Sequence, residues 1–140
     1  MARKARDVMT GSAECVGESD SVLDAATKLT KLDVGAMPIC GEDNRLKGML
    51  TDRDIVVKVL AQGRDPASTR VGELAEGKPV TIGADDSVAE TLETMARYRV
   101  RRLPVIDGHD LVGVISQADI AANLSDEETG RLVEIISTSS

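Results

Sequence analysis

Apolar residues follow two different spacings along the chain, and the same succession of spacings occurs twice. A three- to four-residue spacing, typical of an amphipathic helix, alternates with short apolar runs typical of strands. In the first copy the predicted elements are a strand at 14–16, a helix at 22–32, strands at 37–40 and 46–50, and a helix from Thr51. In the second copy they are a strand at 79–82, a helix at 88–96, strands at 103–106 and 111–115, and a helix from Ser116. The predicted order in both is strand, helix, strand, strand, helix, with the first two strands parallel through a helical crossover.

The residues themselves repeat as well as the spacings. Asp-Ser-Val at residues 20–22 recurs at 86–88, a shift of 66 residues, and Met-Pro-Ile at 37–39 matches Leu-Pro-Val at 103–105 with the same shift. One such copy is too small to cover both faces of its sheet, so we expect the two copies to pack together. The chain is predicted to be an α/β protein, α+β in some schemes, built from two β-α-β-β-α repeats.

The composition argues against several partners. The 140 residues carry a net charge of −7 and a single aromatic residue, Tyr98, so neither a basic face nor a set of base-stacking rings is available for nucleic acid. No apolar run approaches the roughly 20 residues of a membrane span, and the N terminus lacks the apolar stretch of a signal peptide. We therefore expect a cytoplasmic protein that binds neither nucleic acid nor membranes.

Motifs for catalysis and for metal binding are missing from the sequence. The chain has no Walker-type phosphate loop and no G-x-S-x-G elbow. Its one histidine, His109, lies in a Gly-His-Asp turn, and a single histidine cannot form a site that needs several imidazoles. We therefore expect no enzyme activity and no metal site.

The spacing of turn residues divides the chain into four parts. The first copy is predicted over 5–62, a linker rich in Gly, Asp, Pro and Ser over 63–72, and the second copy over 73–124. The tail at 125–140 begins with a capping box and continues with apolar residues at helical spacing. It is predicted to form a short helix that covers an edge of the protein or reaches a partner subunit.

Several motifs together resemble a tandem pair of CBS domains, the Bateman module. They are Asp-Val-Met-Thr at 7–10, Gly-Ala-Met-Pro-Ile at 35–39, residues 46–55, and the second-copy partners of these segments. The resemblance implies a pseudo-two-fold pair of repeats and a non-catalytic regulatory or energy-sensing module without a required cofactor. Such modules often bind AMP, ADP, ATP or an S-adenosyl compound in clefts between the repeats. They usually form homodimers through their amphipathic helices and report to another protein, which the sequence does not identify.

A Ser/Thr-x-x-Asp pattern begins the second helix of each copy, as Thr51 to Asp54 and as Ser116 to Asp119. One interpretation is helix capping, in which the hydroxyl and the carboxylate satisfy the first backbone amides. The resemblance implies a second one, because in nucleotide-binding CBS pairs the aspartate accepts hydrogen bonds from the ribose hydroxyls. The two interpretations are compatible, since one helix start serves both.

Positive charge is concentrated before the second Pro-containing strand, where four arginines stand at Arg97, Arg99, Arg101 and Arg102. They either form a solvated helix end or bind phosphates, for which guanidinium groups are well shaped. The first copy has no charge at the matching place, so we expect the second-copy site to be the stronger one. Arg53 is a weaker candidate for the same role.

Because the chain has almost no aromatic rings, a bound adenine would have to lie between aliphatic side chains. The alternative role for these side chains is ordinary core packing. The complete set of predicted nucleotide-binding residues is Val16, Ala36, Met37, Pro38, Thr51, Arg53, Asp54, Ile82, Arg101, Arg102, Leu103, Pro104, Ser116 and Asp119.

Cys15 and Cys40 lie on or beside the two predicted parallel strands of the first copy. Three interpretations stay open: two small buried thiols, which we favour, a disulfide, and a metal site. A disulfide would contribute about 3 kcal/mol by closing a loop, although a reducing cytosol opposes its persistence. A metal site is the weakest alternative, because two thiolates need further ligands and none has the usual spacing.

Overall fold

A computed structural model describes residues 3–11, 14–75, 78–123 and 130. The chain divides into two compact units, one formed by residues 14–79 and the other by residues 1–13 together with 80–140. Within the tail at 125–140 only Gly130 is described, so the helix predicted there lies outside the described residues.

The N-terminal segment forms helix α1 (Ala5–Val8) and strand β1 (Thr10–Gly11). The Asp7 carboxylate begins α1 by accepting a hydrogen bond from the Lys4 backbone N–H at 3.0 Å. Ala5 and Val8 are buried and belong to the core of the unit that contains residues 80–123. This segment therefore packs with the second sequence copy.

The unit of residues 14–79 contains a three-stranded sheet and follows the predicted order. Its elements are β2 (Val16–Gly17), α2 (Val22–Leu32), β3 (Ala36–Cys40), β4 (Leu46–Thr51), α3 (Asp52–Ile55), a π-helical continuation (Val56–Leu60) and a 3-10 helix (Val71–Leu74). The sheet order is β2-β3-β4, with β2 parallel and β4 antiparallel to β3. The predicted parallel pair joined by a helical crossover is therefore confirmed.

Local chemistry sets the limits of α2. The Ser21 hydroxyl accepts a hydrogen bond from the Asp24 backbone N–H at 3.0 Å, which satisfies a free amide of the first turn. The helix ends at Asp33, whose φ of 54° is left-handed. Leu32, the last residue of the helix, has the spacing of the apolar face but is 41% exposed.

The second unit has a four-stranded sheet because the N-terminal segment joins it. Its further elements are β5 (Ile82–Gly83), α4 (Val88–Tyr98), β6 (Arg102–Asp107), β7 (Asp110–Ser116) and α5 (Gln117–Ala121). The sheet order is β1-β7-β6-β5, with β5 parallel to β6 and the other pairs antiparallel. Thus β1 is an additional edge strand next to β7.

The compact units differ from the division expected from the sequence. The expected first copy at 5–62 loses its leading segment to the other unit. The 3-10 helix over Val71–Leu74 begins inside the expected linker at 63–72, yet Val71 and Leu74 are buried in the core of the 14–79 unit. Apolar burial is the reason, because each leading segment carries two core side chains three positions apart, Ala5 with Val8 and Val71 with Leu74. Each copy's leading segment therefore packs in the unit that the other copy forms.

None of the helices within the described ranges is long and apolar enough to cross a membrane.

Candidate functional site

The candidate site residues of the 14–79 unit meet where β4 continues into α3. Thr51 N–H donates to Asp54 Oδ2 at 3.0 Å, and Asp54 N–H donates to Thr51 Oγ at 3.1 Å. The second carboxylate oxygen, Oδ1, lies 3.5 Å from the Lys58 ammonium, and both side chains are partly buried. Arg53 is exposed on the same turn and donates its backbone N–H to Asp52. At this junction both oxygens of Asp54 already have a partner.

The equivalent junction in the second unit has the same cap but a different second partner. Ser116 N–H donates to Asp119 Oδ2 at 2.9 Å, and Asp119 N–H donates to Ser116 Oγ at 3.0 Å. Asp119 Oδ1 faces the Thr10 hydroxyl of the N-terminal segment at 3.5 Å. Capping is therefore present at both junctions, and one oxygen of Asp119 meets only a weak neutral donor.

Exposed ionic contacts hold the segment that brings Thr10 to this junction. Arg6 Nε donates to Asp85 Oδ1 at 2.9 Å, and another nitrogen of Arg6 lies 3.3 Å from Asp107 Oδ2. The hydrogen bond from Arg6, followed by the charge of Arg6, lowers the pKa of the Asp85 carboxyl below its ordinary value. The same two hydrogen bonds raise the pKa of the Arg6 guanidinium.

The arginine cluster lies beside the Ser116 junction. Arg102 and Ser116 are direct cross-strand partners in the antiparallel pair of β6 and β7, and the backbone carbonyl of Arg101 accepts the Gln117 N–H at 3.0 Å. All four side chains of the cluster are exposed, and within the described residues no ion pair joins them to a carboxylate. A carboxylate and two guanidinium groups therefore flank one strand-to-helix turn.

The matching place in the 14–79 unit is acidic and concave. A groove of about 570 Å³ opens there, and its lining includes Asp33, Val34, Gly35, Asp52 and Val56. The two aspartates supply its only charged groups among the lining residues, and Val34 and Val56 are 40% and 55% exposed. The two copies thus place opposite charge at equivalent positions.

The aliphatic residues expected to enclose an adenine are packed in the cores. The buried members of that set are Val16, Met37, Pro38, Ile82, Leu103 and Pro104, while Ala36 is half-buried. These side chains therefore pack in the core, which is one of the two roles that the sequence allowed for them. What they leave to a ligand is the backbone edge at the start of β3 and β6, because residues 36–38 and 102–104 pair with only one neighbouring strand.

Cys15 and Cys40 are joined by a disulfide with a Cα–Cα distance of 5.8 Å. Both residues are half-buried, so the favoured interpretation of two separate buried thiols is not the arrangement found. Cys15 immediately precedes β2 and Cys40 ends β3, and the pairing of Gly17 with Cys40 brings the two strands together. The Lys28 ammonium donates to the Cys15 carbonyl at 2.6 Å and ties α2 to the same point.

Two site residues were missed by reasoning from the sequence. Lys58 stands four residues after Asp54, a spacing that predicts a helical ion pair and was available as a signal. Thr10 lies 109 residues from Asp119, and no local pattern joins them. His109 is exposed in its turn, and the part of the chain that is described contains no group of three His, Cys, Asp or Glu residues placed to hold a metal.

Comparison with known proteins identifies the family. A model of the CBS domain matches residues 5–61 and 71–126. The chain belongs to the CBS domain family, with two CBS domains in tandem. This CBS pair is 46% identical over 132 residues to hypoxic response protein 1 of Mycobacterium tuberculosis, which covers 94% of this chain and 92% of the relative.

Two solved structures extend the comparison of this CBS pair. One is a crystal structure of Hypoxic Response Protein I with two coordinated zinc ions, at 48% identity and a TM-score of 0.83, covering 88% of this chain and all of that chain. The other is the CBS domain pair of protein MJ0100 with 5′-methylthioadenosine and S-adenosyl-L-methionine, at 25% identity and a TM-score of 0.78, covering 88% and 96%. The zinc ions belong to the first relative. In this CBS pair both cysteines are joined in a disulfide, and the described residues contain no group of three His, Cys, Asp or Glu placed to hold a metal.

Proposed function

We propose that this CBS pair is a non-catalytic regulatory module that binds an adenine nucleotide at the Ser116 junction. The observation that supports it is the position of the exposed Arg102 directly opposite Ser116. Ser116 in turn stands three residues before the partly buried Asp119. A relative with the same fold holds S-adenosyl-L-methionine and 5′-methylthioadenosine, which share the adenosine group. The ligand class is AMP, ADP, ATP or an S-adenosyl compound.

Each part of the ligand has a matching group at this junction. The two ribose hydroxyls donate to the Asp119 carboxylate, which accepts hydrogen bonds more strongly than a neutral oxygen does. Arg101 and Arg102 bind the phosphates, because guanidinium groups match phosphate oxygens in pairs. The adenine, for lack of aromatic neighbours, uses the backbone edge of β6. An S-adenosyl compound has no phosphate and would gain less from the arginines.

Calorimetry with AMP, ADP, ATP and S-adenosyl-L-methionine tests this assignment on the full chain. Asp119→Ala and Arg102→Ala are each expected to weaken AMP binding about tenfold or more, because each removes a charge-assisted hydrogen bond. Arg102→Ala is expected to leave adenosine binding unchanged, which separates the phosphate role from the ribose role. Arg53→Ala is the matched control on the other junction. Tight AMP binding that neither variant alters would remove the site, and failure to bind any adenine compound would remove the function.

The module reports its ligand to a partner protein in the cytoplasm and works as a homodimer. The groove beside Asp33 and Asp52 supports the dimer, since exposed apolar side chains at Val34 and Val56 favour burial against another surface. Light scattering at high protein concentration tests it. A monomer under those conditions would contradict the dimer.

The disulfide between Cys15 and Cys40 favours a second function, a dimerisation or interaction module without a bound nucleotide whose state follows the redox potential. Disulfides are rare in a reducing cytosol, and those that form there are often redox-sensing. Non-reducing mass spectrometry of the air-oxidised protein is expected to find the two cysteines linked. Free thiols in that sample, or the same oligomeric state with and without reductant, would contradict this function.

A further inference from the structure

The two aspartates of the strand-to-helix junctions differ in the partner of their outer oxygen. Asp54 Oδ1 faces the Lys58 ammonium at 3.5 Å, whereas Asp119 Oδ1 faces the Thr10 hydroxyl at the same distance. In both cases Oδ2 is used by the backbone cap at 2.9–3.0 Å. The outer oxygen, Oδ1, is therefore the atom that remains for a ligand. In the first copy this oxygen already faces a cation.

We propose that Lys58 closes the Asp54 junction to ribose, so that the CBS pair binds one nucleoside per chain, at Asp119. The inference rests on the proposed function and specifies which of its two equivalent junctions is used. Lys58 acts here as a specificity-determining residue, and it does so by occupying the acceptor atom that the ribose hydroxyls need.

The competition at Asp54 is between a charged donor and a neutral one. An ammonium group bonds a carboxylate more strongly than a hydroxyl does, and the two side chains are only 32% and 23% exposed, which limits screening by water. Lys58 also lies one helical turn after Asp54 in the same chain, so it stays beside the carboxylate at any ligand concentration. A ribose diol must displace this ammonium before it can bind.

The second unit lacks such a competitor at the matching position. Asp54 and Asp119 are 65 residues apart, and the same shift matches Lys58 with Asn123. The Asn123 amide donates to the Asp119 backbone carbonyl at 2.8 Å and leaves the carboxylate alone. The Thr10 hydroxyl at 3.5 Å lies beyond the usual O–H···O range and is readily exchanged for a ribose hydroxyl. The exposed arginines add phosphate binding on this side only.

Exchanging the two residues tests the inference. The probe is adenosine, which carries the diol and no phosphate, and 2′,3′-dideoxyadenosine is the control ligand. Backbone amide shifts in NMR spectra report on Thr51 and Asp54 at one junction and on Ser116 and Asp119 at the other. The variants are Lys58→Asn, Asn123→Lys and, as the matched charge-keeping control, Lys58→Arg.

In the unmodified protein adenosine is expected to shift the Ser116 and Asp119 amides alone. Lys58→Asn is expected to open the other junction, with a gain in affinity there of about tenfold and new shifts at Thr51 and Asp54. Asn123→Lys is expected to weaken binding at Asp119, and Lys58→Arg to keep Asp54 closed. The dideoxy compound should shift neither set.

Two results would overturn this inference without touching the proposed function. In the first, adenosine shifts the amide signals of both junctions in the unmodified protein. In the second, the Thr51 and Asp54 amides of Lys58→Asn do not shift although the Asp119 amide does. In either case the proposed function stands. Silence at both junctions in every variant, repeated with AMP, would instead remove the proposed function together with the inference.

Discussion

The two compact units share one sequence pattern but hold their sheets together by different means. In the 14–79 unit a disulfide joins the end of β3 to the residue before β2, and the sheet has three strands. In the other unit the N-terminal segment adds β1 as a fourth strand, held by main-chain hydrogen bonds and exposed ion pairs. One copy therefore depends on a covalent bond, and the other on a segment from the far end of the chain.

The comparison shows where duplicated sequence stays constant and where it changes. The Ser/Thr-x-x-Asp caps agree within 0.1 Å at both hydrogen bonds, since the fold of each copy requires them. The groups around the caps differ in charge: Lys58 against Asn123, and Asp52 against Gln117. The groups beside the caps have therefore diverged in charge, whereas the residues that begin the helix have not.

Removing the disulfide should have the largest effect on stability. The double variant Cys15→Ser, Cys40→Ser is expected to lower the free energy of unfolding by about 3 kcal/mol, because the unfolded chain regains the freedom of a closed loop. Urea denaturation of the oxidised protein measures it. Reductant should lower the stability of the parent protein and leave the double variant unchanged. Equal stability of the two oxidised proteins would mean that the disulfide does not stabilise this unit.

A methyl group on Gly113 should have the next largest effect. A Cβ at this position would stand 2.6 Å from the Thr10 carbonyl oxygen and from Met9 Sδ, so β1 would have to move away from β7. Gly113→Ala is expected to cost about 1–3 kcal/mol, as overpacking does. The equivalent Gly48 faces the Ala75 Cβ at 3.3 Å, a milder contact, so Gly48→Ala is the matched control and should cost less. Equal losses in urea denaturation would contradict the tighter packing of the N-terminal segment.

Loosening the ionic anchor of the N-terminal segment should have the smallest effect. Arg6→Gln is expected to speed hydrogen exchange of the Ala5 and Arg6 amides a few-fold at pH 7, since these amides bond to Asp86 and Ala84. The folded state lowers the pKa of Asp85, so the carboxylate contributes stability at neutral pH and loses it as the pH falls through that lowered value.

The difference between the Arg6→Gln variant and the parent protein should therefore be smaller near pH 3 than at pH 7, because the contribution of Asp85 begins to decline below the ordinary pKa of aspartate. Exchange followed by mass spectrometry at both pH values measures this. A difference that persists unchanged at pH 3 would mean that Arg6 acts through packing and not through its charge pairing with Asp85.

Much of each copy could be predicted from the sequence because the signals are local. Helix α2 starts at the residue after its Ser21 cap, and α4 after Ser87, as the spacing indicated. The junctions at Thr51 and Ser116 were also identified, since a cap and its carboxylate lie three residues apart. The role of the aliphatic residues was not resolved, because a core position and a ligand wall have the same composition.

The sequence by itself determined the duplication, the order of elements in each copy and the caps that begin the helices, because all of these follow from contacts within a few residues. The tertiary structure alone decided which unit takes the N-terminal segment, that Thr10 meets Asp119, and that Cys15 is joined to Cys40. The physical reason is the distance along the chain. Contacts between residues 25 to 109 positions apart arise from the path of the backbone, and no short-range spacing encodes that path.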